Sequence, residues 1–270
     1  MIVAALASGG VIGIVLGLVG GGGSILAVPL LVYVVGVASP HAAIGTAAVA
    51  VAANAAASLI GHARAGTVKW PCALVFAAAG ITGAGIGAEI GKAVDGKRLL
   101  MLFGLLMIGV GLSMLRKRRA IEAPDVRLSR ATAAKLLPRL VSIGLGVGLA
   151  AGFFGIGGGF LIVPGLMAAT TMPLKNAVGT SLVVVTALGL TTAASYALSG
   201  YVDWLLVGLM IAGGAGGSVI SIAMGHKIAS RKGRLERIFA LTVIAVGIYV
   251  SLYQPALITT HLPICGVRSS

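Results

Sequence analysis

Charged side chains are absent from the first part of this chain. Residues 1–63 contain no lysine, arginine, aspartate or glutamate, and the first charge is Arg64. Over all 270 residues, 10% are charged and 58% are hydrophobic, whereas a soluble domain averages about 25% charged and 45–50% apolar residues. A helix needs about 20 apolar residues to cross a bilayer, and a helix satisfies its own backbone groups in lipid. The composition therefore excludes an ordinary soluble domain and predicts an all-α, multi-pass protein of the cell membrane.

Cysteines and acidic residues are also few. The two cysteines, Cys72 and Cys265, lie in apolar surroundings and are too few for a disulfide framework or a zinc site. The sequence shows no His/Glu metal constellation, catalytic triad or haem motif, so we expect no enzyme, no bound metal and no cofactor. Twenty basic and six acidic residues give a net charge of +14. The basic residues cluster between apolar segments, which predicts contact with anionic lipid and no nucleic-acid partner.

The two halves of the chain repeat each other at an offset of about 135 residues. Each half contains a glycine-rich stretch, a Gly-Thr motif and a Gly-x-Val-x-Trp motif. Such an internal duplication is common in transporters. The corresponding stretches are 17–24 and 152–159, 45–47 and 179–181, and 66–70 and 200–204.

Each half is predicted to form a glycine-broken hairpin, made of short or re-entrant helices, followed by three transmembrane helices. The broken segments cover 2–38 and 138–172. About 14–15 residues follow each break, or about 22 Å of helix, which is less than the bilayer core of about 30 Å. The expected organisation is a first transmembrane repeat at 1–115, a basic cytoplasmic connector at 116–137, a second transmembrane repeat at 138–255 and a C-terminal tail at 256–270.

The distribution of basic residues predicts that the two repeats are inverted. If each broken segment crosses the membrane once, eleven of the twenty lysines and arginines lie on the side of the connector and nine lie opposite. If each segment turns back, sixteen lie with the connector, and only Lys92, Lys97, Arg98 and Arg268 lie opposite. Basic residues concentrate on the cytoplasmic side of membrane proteins. The second arrangement is therefore favoured, with both termini outside.

The glycine breaks are the first candidate for a binding site. A helix that begins after a break has N–H groups without intrahelical partners and carries the positive end of its dipole there, an arrangement that binds anions. The alternative is that glycines only allow close helix packing, which we favour for Gly80, Gly83, Gly214 and Gly217. The predicted site glycines are Gly20, Gly22 and Gly23 in the first half and Gly155, Gly157, Gly158 and Gly159 in the second.

Hydroxyl groups near these glycines are the second candidate. Ser24, Thr46, Thr180 and Ser181 are predicted to donate hydrogen bonds to an anion. For Thr46, Thr180 and Ser181 the alternative is a bond to a carbonyl one turn earlier in the same helix. Asn54 is a polar residue in mid-span and can instead bridge two helices.

Two titratable residues are candidates for proton coupling. Glu89 lies inside a span, where acidic residues usually have a function, although Lys92 is near enough in sequence to pair with it. His62 has a side chain that titrates near physiological pH, although its place beside Arg64 also fits a plain interfacial residue.

Together these motifs resemble the sulfite exporter TauE/SafE family, also called the toluenesulfonate uptake permease family. The resemblance rests on the two glycine stretches with their Val-Pro pairs, the two Gly-Thr-(Ala/Ser) motifs and the two Gly-x-Val-x-Trp motifs, and it covers about residues 5–255. The two copies differ where Ala47 corresponds to Ser181 and where His62 corresponds to Tyr196. These differences predict that the halves treat protons and hydroxyl donors unequally.

The resemblance implies a secondary carrier for sulfur-containing anions such as sulfite or organosulfonates, whereas the composition alone supports only an anion. Its expected partners are this small anion, the lipid bilayer and a coupling proton or ion. Two alternatives stay open: a passive channel or a carrier for another small anion, and a non-transporting membrane component whose glycines serve packing. The inverted duplication favours a carrier that works by alternating access.

Overall fold

The computed structural model describes residues 1–115, 130–155, 159–228 and 240–252, and every regular element in these ranges is helical. The all-α prediction is confirmed for this part of the chain. Two elements are irregular, a 3-10 helix at Gly20–Leu26 and a π-helix at Leu30–Val35. The α-helices are α1 (Ile2–Val19), α2 (Ala27–Pro29), α3 (Pro40–Arg64), α4 (Trp70–Ala93), α5 (Gly96–Leu115), α6 (Arg130–Phe154), α7 (Gly159–Thr170), α8 (Leu174–Leu198), α9 (Trp204–Ile228) and α10 (Ala240–Leu252).

Six of these helices, α3, α4, α5, α6, α8 and α9, are long and apolar enough to cross a membrane. This confirms the prediction of a multi-pass membrane protein. Helix α7 has 12 residues, about 18 Å at 1.5 Å per residue, so it is shorter than the bilayer core of about 30 Å. Short helices thus follow the glycines, as the sequence predicts.

Helix α6 differs from its predicted span. It begins at Arg130 and contains Pro138, although the connector was expected to extend to residue 137. Residues 130–137 are rich in alanine, leucine, lysine and arginine, which have the highest helix propensities. The end of the connector sequence therefore continues the helix, while residues 116–129 and the tail at 256–270 lie outside the described residues.

Equivalent helices of the two halves make equivalent contacts. Helix α1 packs along α9, and α6, its counterpart, packs along α4. A Cβ atom on Gly13 would collide with the backbone of Gly214, and one on Gly148 would collide with the backbone of Gly80. Glycine therefore allows these backbones to touch, which is the packing role predicted for Gly80 and Gly214.

Helices α1 and α9 run parallel, and so do α6 and α4. Along α1, Gly9 lies against Met210 and Gly17 lies against Ser221. Along α6, Gly144 lies against Phe76 and Gly152 lies against Ala84.

Helices α3 and α8 correspond to each other, pack together and run antiparallel. The start of α3 is bonded to the loop after α8, because the N–H of Asp203 donates to the hydroxyl of Thr46 at 3.0 Å. The start of α8 is bonded to the loop after α3, because the N–H of Lys69 donates to the hydroxyl of Thr180 at 3.0 Å. The core of the protein thus forms largely between the halves.

Candidate functional site

The first glycine stretch turns the chain back along α1. It forms the 3-10 helix Gly20–Leu26 directly after α1, and this helix contains Gly20, Gly22 and Gly23. A Cβ atom on Gly23 would lie 2.6 Å from the backbone nitrogen of Leu16 and 3.0 Å from the carbonyl oxygen of Ile12. If residue 23 continued α1, it would lie too far from these atoms to touch them. The chain has therefore reversed direction, and only glycine fits at position 23.

The second glycine stretch turns the chain back along α6. Gly155 follows the end of α6 with a φ of +64°, and a Cβ atom there would collide with the side chain of Ile44. Gly157 and Gly158 lie outside the described residues, and Gly159 is the buried first residue of α7. Helix α7 then runs back beside α6, since a Cβ on Gly165 would lie 3.3 Å from the side chain of Ile143. A left-handed φ is a conformation that glycine adopts without steric cost.

The structure brings the two returning segments together. The 3-10 helix packs against α7 and against α8, and Ser24 within it is completely buried. The helix N-terminus that is expected after each glycine break is present only in the second half, where α7 begins after the break. In the first half the glycines form a 3-10 helix directly after α1, a form that is frequent at helix ends, so no new α-helix starts directly after them.

The Gly-Thr motifs contact the Gly-x-Val-x-Trp motifs of the other half. Thr46 and Thr180 are fully buried, and each accepts the cross-half hydrogen bond described above. A Cβ atom on Gly45 would collide with the carbonyl of Tyr201, and one on Gly179 would collide with the side chain of Thr67. We call the contact of residues 45–46 with 201–203 the first clamp, and the contact of residues 179–180 with 67–69 the second clamp.

Sequence reasoning did not find this pairing. It treated the Gly-Thr motifs as anion donors and the tryptophan motifs as separate features. The available signal was that both motifs recur at the same offset of 134 residues, which is expected of two surfaces that meet across a pseudo-twofold axis.

Ser181 differs from its neighbour Thr180. Its hydroxyl donates to the carbonyl oxygen of Val178 at 2.7 Å. This is the local bond to the preceding turn, which is the alternative to anion donation.

The two coupling candidates lie at opposite ends of the α3–α8 pair. Glu89 forms a salt bridge with Lys92 at 2.7 Å and accepts a hydrogen bond from Ser195, near the end of α8, at 2.9 Å. The side chain of His62, near the end of α3, has Nδ1 3.1 Å from the hydroxyl of Thr67. Since α3 and α8 are antiparallel, the structure does not bring Glu89 and His62 together.

Asn54 bridges two helices, as predicted for it. Its Nδ2 donates to the carbonyl oxygen of Met210 in α9 at 3.3 Å.

Among the described residues, no group of three or more histidine, cysteine, aspartate or glutamate side chains is placed to hold a metal ion.

Comparison with known proteins identifies the family. The sequence profile of the family described as "Sulfite exporter TauE/SafE" matches residues 5–250. The chain belongs to the TauE/SafE family. The protein is therefore a membrane transporter of this family, and the family suggested by the doubled motifs is confirmed.

The TauE/SafE assignment is supported by curated relatives. A "Probable membrane transporter protein" of Xylella fastidiosa is 50% identical over 249 residues, covering 92% of this chain and 94% of that protein. A "Probable membrane transporter protein YunE" of Bacillus subtilis is 28% identical over 258 residues, covering 88% and 94% of the two chains. No solved structure matches the chain.

Proposed function

We propose that this TauE/SafE protein is a secondary transporter of a small sulfur-containing anion, of the sulfite or organosulfonate type. The observation that carries the proposal is the contact between the 3-10 helix and α7. Two glycine-initiated segments, each returning along its own preceding helix, meet in the interior of a membrane protein. Discontinuous helices that meet in this way form substrate sites in other secondary transporters.

The anion is bound by neutral donors in this proposal. The N-terminus of α7 contributes backbone N–H groups and the positive end of its dipole, and the buried hydroxyl of Ser24 lies on the segment that packs against it. The glycines at 20, 22, 23, 155 and 159 admit the anion to the backbone. Hydrogen bonds to a charged group contribute about 1.5–3 kcal/mol each, so a few such bonds can replace a fixed cation.

The two halves are inverted in the membrane in this proposal. The antiparallel course of α3 and α8 supports it, because these two helices correspond to each other in the repeat. Sixteen of the twenty basic residues then lie on the side of the connector, which the distribution of charge assigns to the cytoplasm.

Single cysteines on exposed residues test this topology. In a variant without native cysteines, Asp95→Cys is expected to react with an impermeant maleimide from outside intact cells. Lys175→Cys, in the exposed first turn of α8, is expected to react only after the cells are permeabilised, whereas single crossings of the broken segments would place it outside with residue 95. Labelling of both positions from the same face would contradict the inverted arrangement.

Alternating access is proposed to use the two clamps, which lie at opposite ends of the α3–α8 pair. Each clamp includes one hydrogen bond from a backbone N–H to a threonine hydroxyl and one close glycine contact. A bond of this kind contributes about 0.5–1.5 kcal/mol net, so one clamp can open at low cost while the other stays closed. We further propose that Glu89 and His62, one near each clamp, couple transport to protons.

Counterflow in proteoliposomes tests the transport function. Vesicles loaded with unlabelled sulfite or an organosulfonate should transiently accumulate the labelled anion, and a pH gradient should change the extent of accumulation. A passive channel would equilibrate the label without overshoot. A non-transporting component would give no uptake above that of protein-free vesicles.

A further inference from the structure

Three buried serines meet where α1, α3 and α9 pack together. Ser58 on α3 is 6% exposed, Ser218 on α9 is 8% exposed and Ser221 on α9 is 2% exposed. The Oγ atoms of Ser58 and Ser218 are 3.4 Å apart. The Oγ of Ser221 is buried and has no hydrogen-bond partner among the described residues. Buried polar groups normally have a partner, so this junction is incomplete as it stands.

These serines do not make the local hydrogen bond that many helical hydroxyls of the described residues make, and in this they resemble Ser8, Thr192 and Ser251. In the described residues, none of the three hydroxyls bonds to a carbonyl of the preceding turn, which is the usual partner of serine and threonine in a membrane helix. The hydroxyls that do make this bond belong to Thr82, Ser142, Thr170, Ser181, Thr186, Thr191 and Ser199. The hydroxyl oxygens at the junction therefore remain available to a ligand.

The distance of 3.4 Å between the Oγ atoms of Ser58 and Ser218 is long for a hydrogen bond between hydroxyls and also fits two oxygens that share a cation. Hydrogen bonds between hydroxyls are about 2.5–3.0 Å long. Two oxygens that each lie about 2.4 Å from one cation, at right angles to each other, are about 3.4 Å apart. Ser221 is the i+3 neighbour of Ser218 on the same face of α9, where Cβ atoms are about 5–6 Å apart, so its oxygen is within reach of the same ion.

The end of α1 supplies a favourable field for a cation. Gly17 lies directly against Ser221, where a Cβ would collide with the hydroxyl, and α1 ends at Val19. The last carbonyls of an α-helix carry the negative end of its dipole. In secondary transporters, Na⁺ is held by such carbonyls at the ends of discontinuous helices.

We propose that Ser58, Ser218 and Ser221, with the end of α1, form a binding site for a hard monovalent cation, specifically Na⁺. The residues of α1, α3 and α9 include no aspartate or glutamate, and a ligand set of neutral oxygens suits a monovalent ion rather than a divalent one. The assignment of this ion as the coupling ion rests on the proposed transport function. The binding of Na⁺ does not rest on the proposed transport function.

The repeat supplies a built-in comparison. The residues that correspond to Ser58, Ser218 and Ser221 in the other half are Thr192, Ala84 and Gly87. Only Thr192 carries a hydroxyl, so the second junction lacks the ligand set. The proposed Na⁺ site therefore belongs to the first junction, beside the first returning segment, and not to the second.

Thermal unfolding of the full chain in detergent tests the site without a transport assay. At constant ionic strength and pH, NaCl should raise the unfolding temperature in a saturable way, whereas KCl and choline chloride should not, because a ligand that binds only the folded state stabilises it. Ser218→Ala and Ser221→Ala should each raise the half-maximal Na⁺ concentration roughly tenfold, as expected for the loss of one ligand. Ser218→Thr, which keeps a hydroxyl, should retain most of the response, and Thr192→Val should retain all of it.

Three results would overturn the proposal: equal unfolding temperatures in Na⁺, K⁺ and choline, an unchanged Na⁺ response in both alanine variants, or an equal loss of response in Thr192→Val. Counterflow distinguishes a failure of the proposed cation site from a failure of the proposed transport function. Anion transport without a Na⁺ effect on unfolding removes the cation site and leaves the transporter. A specific Na⁺ effect without anion counterflow removes the proposed substrate and leaves the site.

Discussion

The two returning segments occupy equivalent places in the repeat but differ in backbone. Residues 20–35 form a 3-10 helix, a short α-turn and a π-helix, whereas residues 159–170 form one regular α-helix. Both contain a proline at the same place, Pro29 and Pro164, so proline does not explain the difference. The residues after the prolines differ: Val32, Val34 and Val35 of the first segment are β-branched, whereas the second segment has leucine, methionine and two alanines at 166–169, which favour an α-helix more.

The contacts of the segments differ as well. The first segment touches the backbone of α1 through Gly23, whereas the second touches side chains of α6 through Gly165. A backbone cannot move aside for an added methyl group, but the end of a flexible side chain can. The duplicated sequence thus gives one rigidly enclosed segment and one adaptable segment, which can be distinguished by substitution.

The largest difference is expected between Gly23→Ala and Gly165→Ala. At Gly23 the added methyl group would lie 2.6 Å from the backbone of Leu16, whereas at Gly165 it would lie 3.2 Å from a methyl group of Val147. Overpacking lowers the free energy of unfolding by about 3 kcal/mol where the surroundings are rigid. Where they can adjust, it lowers it by less than about 1 kcal/mol. Thermal unfolding of the purified variants measures this difference, and equal losses would show that both segments are equally rigid.

Gly155→Ala should have the next largest effect on stability, about 2 kcal/mol. A left-handed φ costs an L-residue about 1–2 kcal/mol, and the methyl group would collide with Ile44. Adding Ile44→Ala should remove the collision but leave the backbone strain. The double variant should therefore lose less stability than the sum of the losses in the two single variants. Full additivity in unfolding measurements would mean that the two residues do not touch.

Ser24→Ala should weaken anion binding about tenfold. Loss of one hydrogen bond to a charged group costs about 1.5 kcal/mol, and 1.4 kcal/mol corresponds to a factor of ten in affinity. Ser181→Ala is the control, because its hydroxyl bonds to Val178 within α8 and is not used in the proposed anion site, so the affinity of this variant should stay within about twofold of the wild type. Titration of sulfite in detergent would exclude Ser24 from the site if the two variants bind alike.

Thr171→Gly should have the smallest effect, a stabilisation of about 1 kcal/mol. Thr171 ends the second segment with a φ of +57°, whereas the equivalent residue of the first segment is Gly36 with a φ of +85°. Glycine removes the steric cost of this conformation. The reverse change, Gly36→Thr, should destabilise by a similar amount, so a loss of unfolding temperature in both variants would show that the hydroxyl of Thr171 matters more than its backbone strain.

Much of the helical architecture was predictable from the sequence because lipid leaves few choices. A backbone in hydrocarbon must form helices or closed barrels, so the lengths of the apolar runs and the places of Gly66 and Gly200 between them locate the spans closely. The return of the chain after each glycine stretch was also predictable, since the apolar run that follows is too short to cross. The 3-10 course of residues 20–26 was not, because four consecutive glycines restrict the backbone so little that packing chooses among the allowed forms.

The sequence by itself determined the composition of the membrane spans, the internal duplication and the family. Only the tertiary structure decided what the motifs touch. Thr46 and Thr180 have the same local sequence context as free hydroxyl donors, but they accept N–H groups from Asp203 and Lys69 of the opposite half. The physical reason is that local patterns specify helix lengths and breaks, whereas a hydrogen bond between residues more than 100 positions apart depends on how whole helices pack.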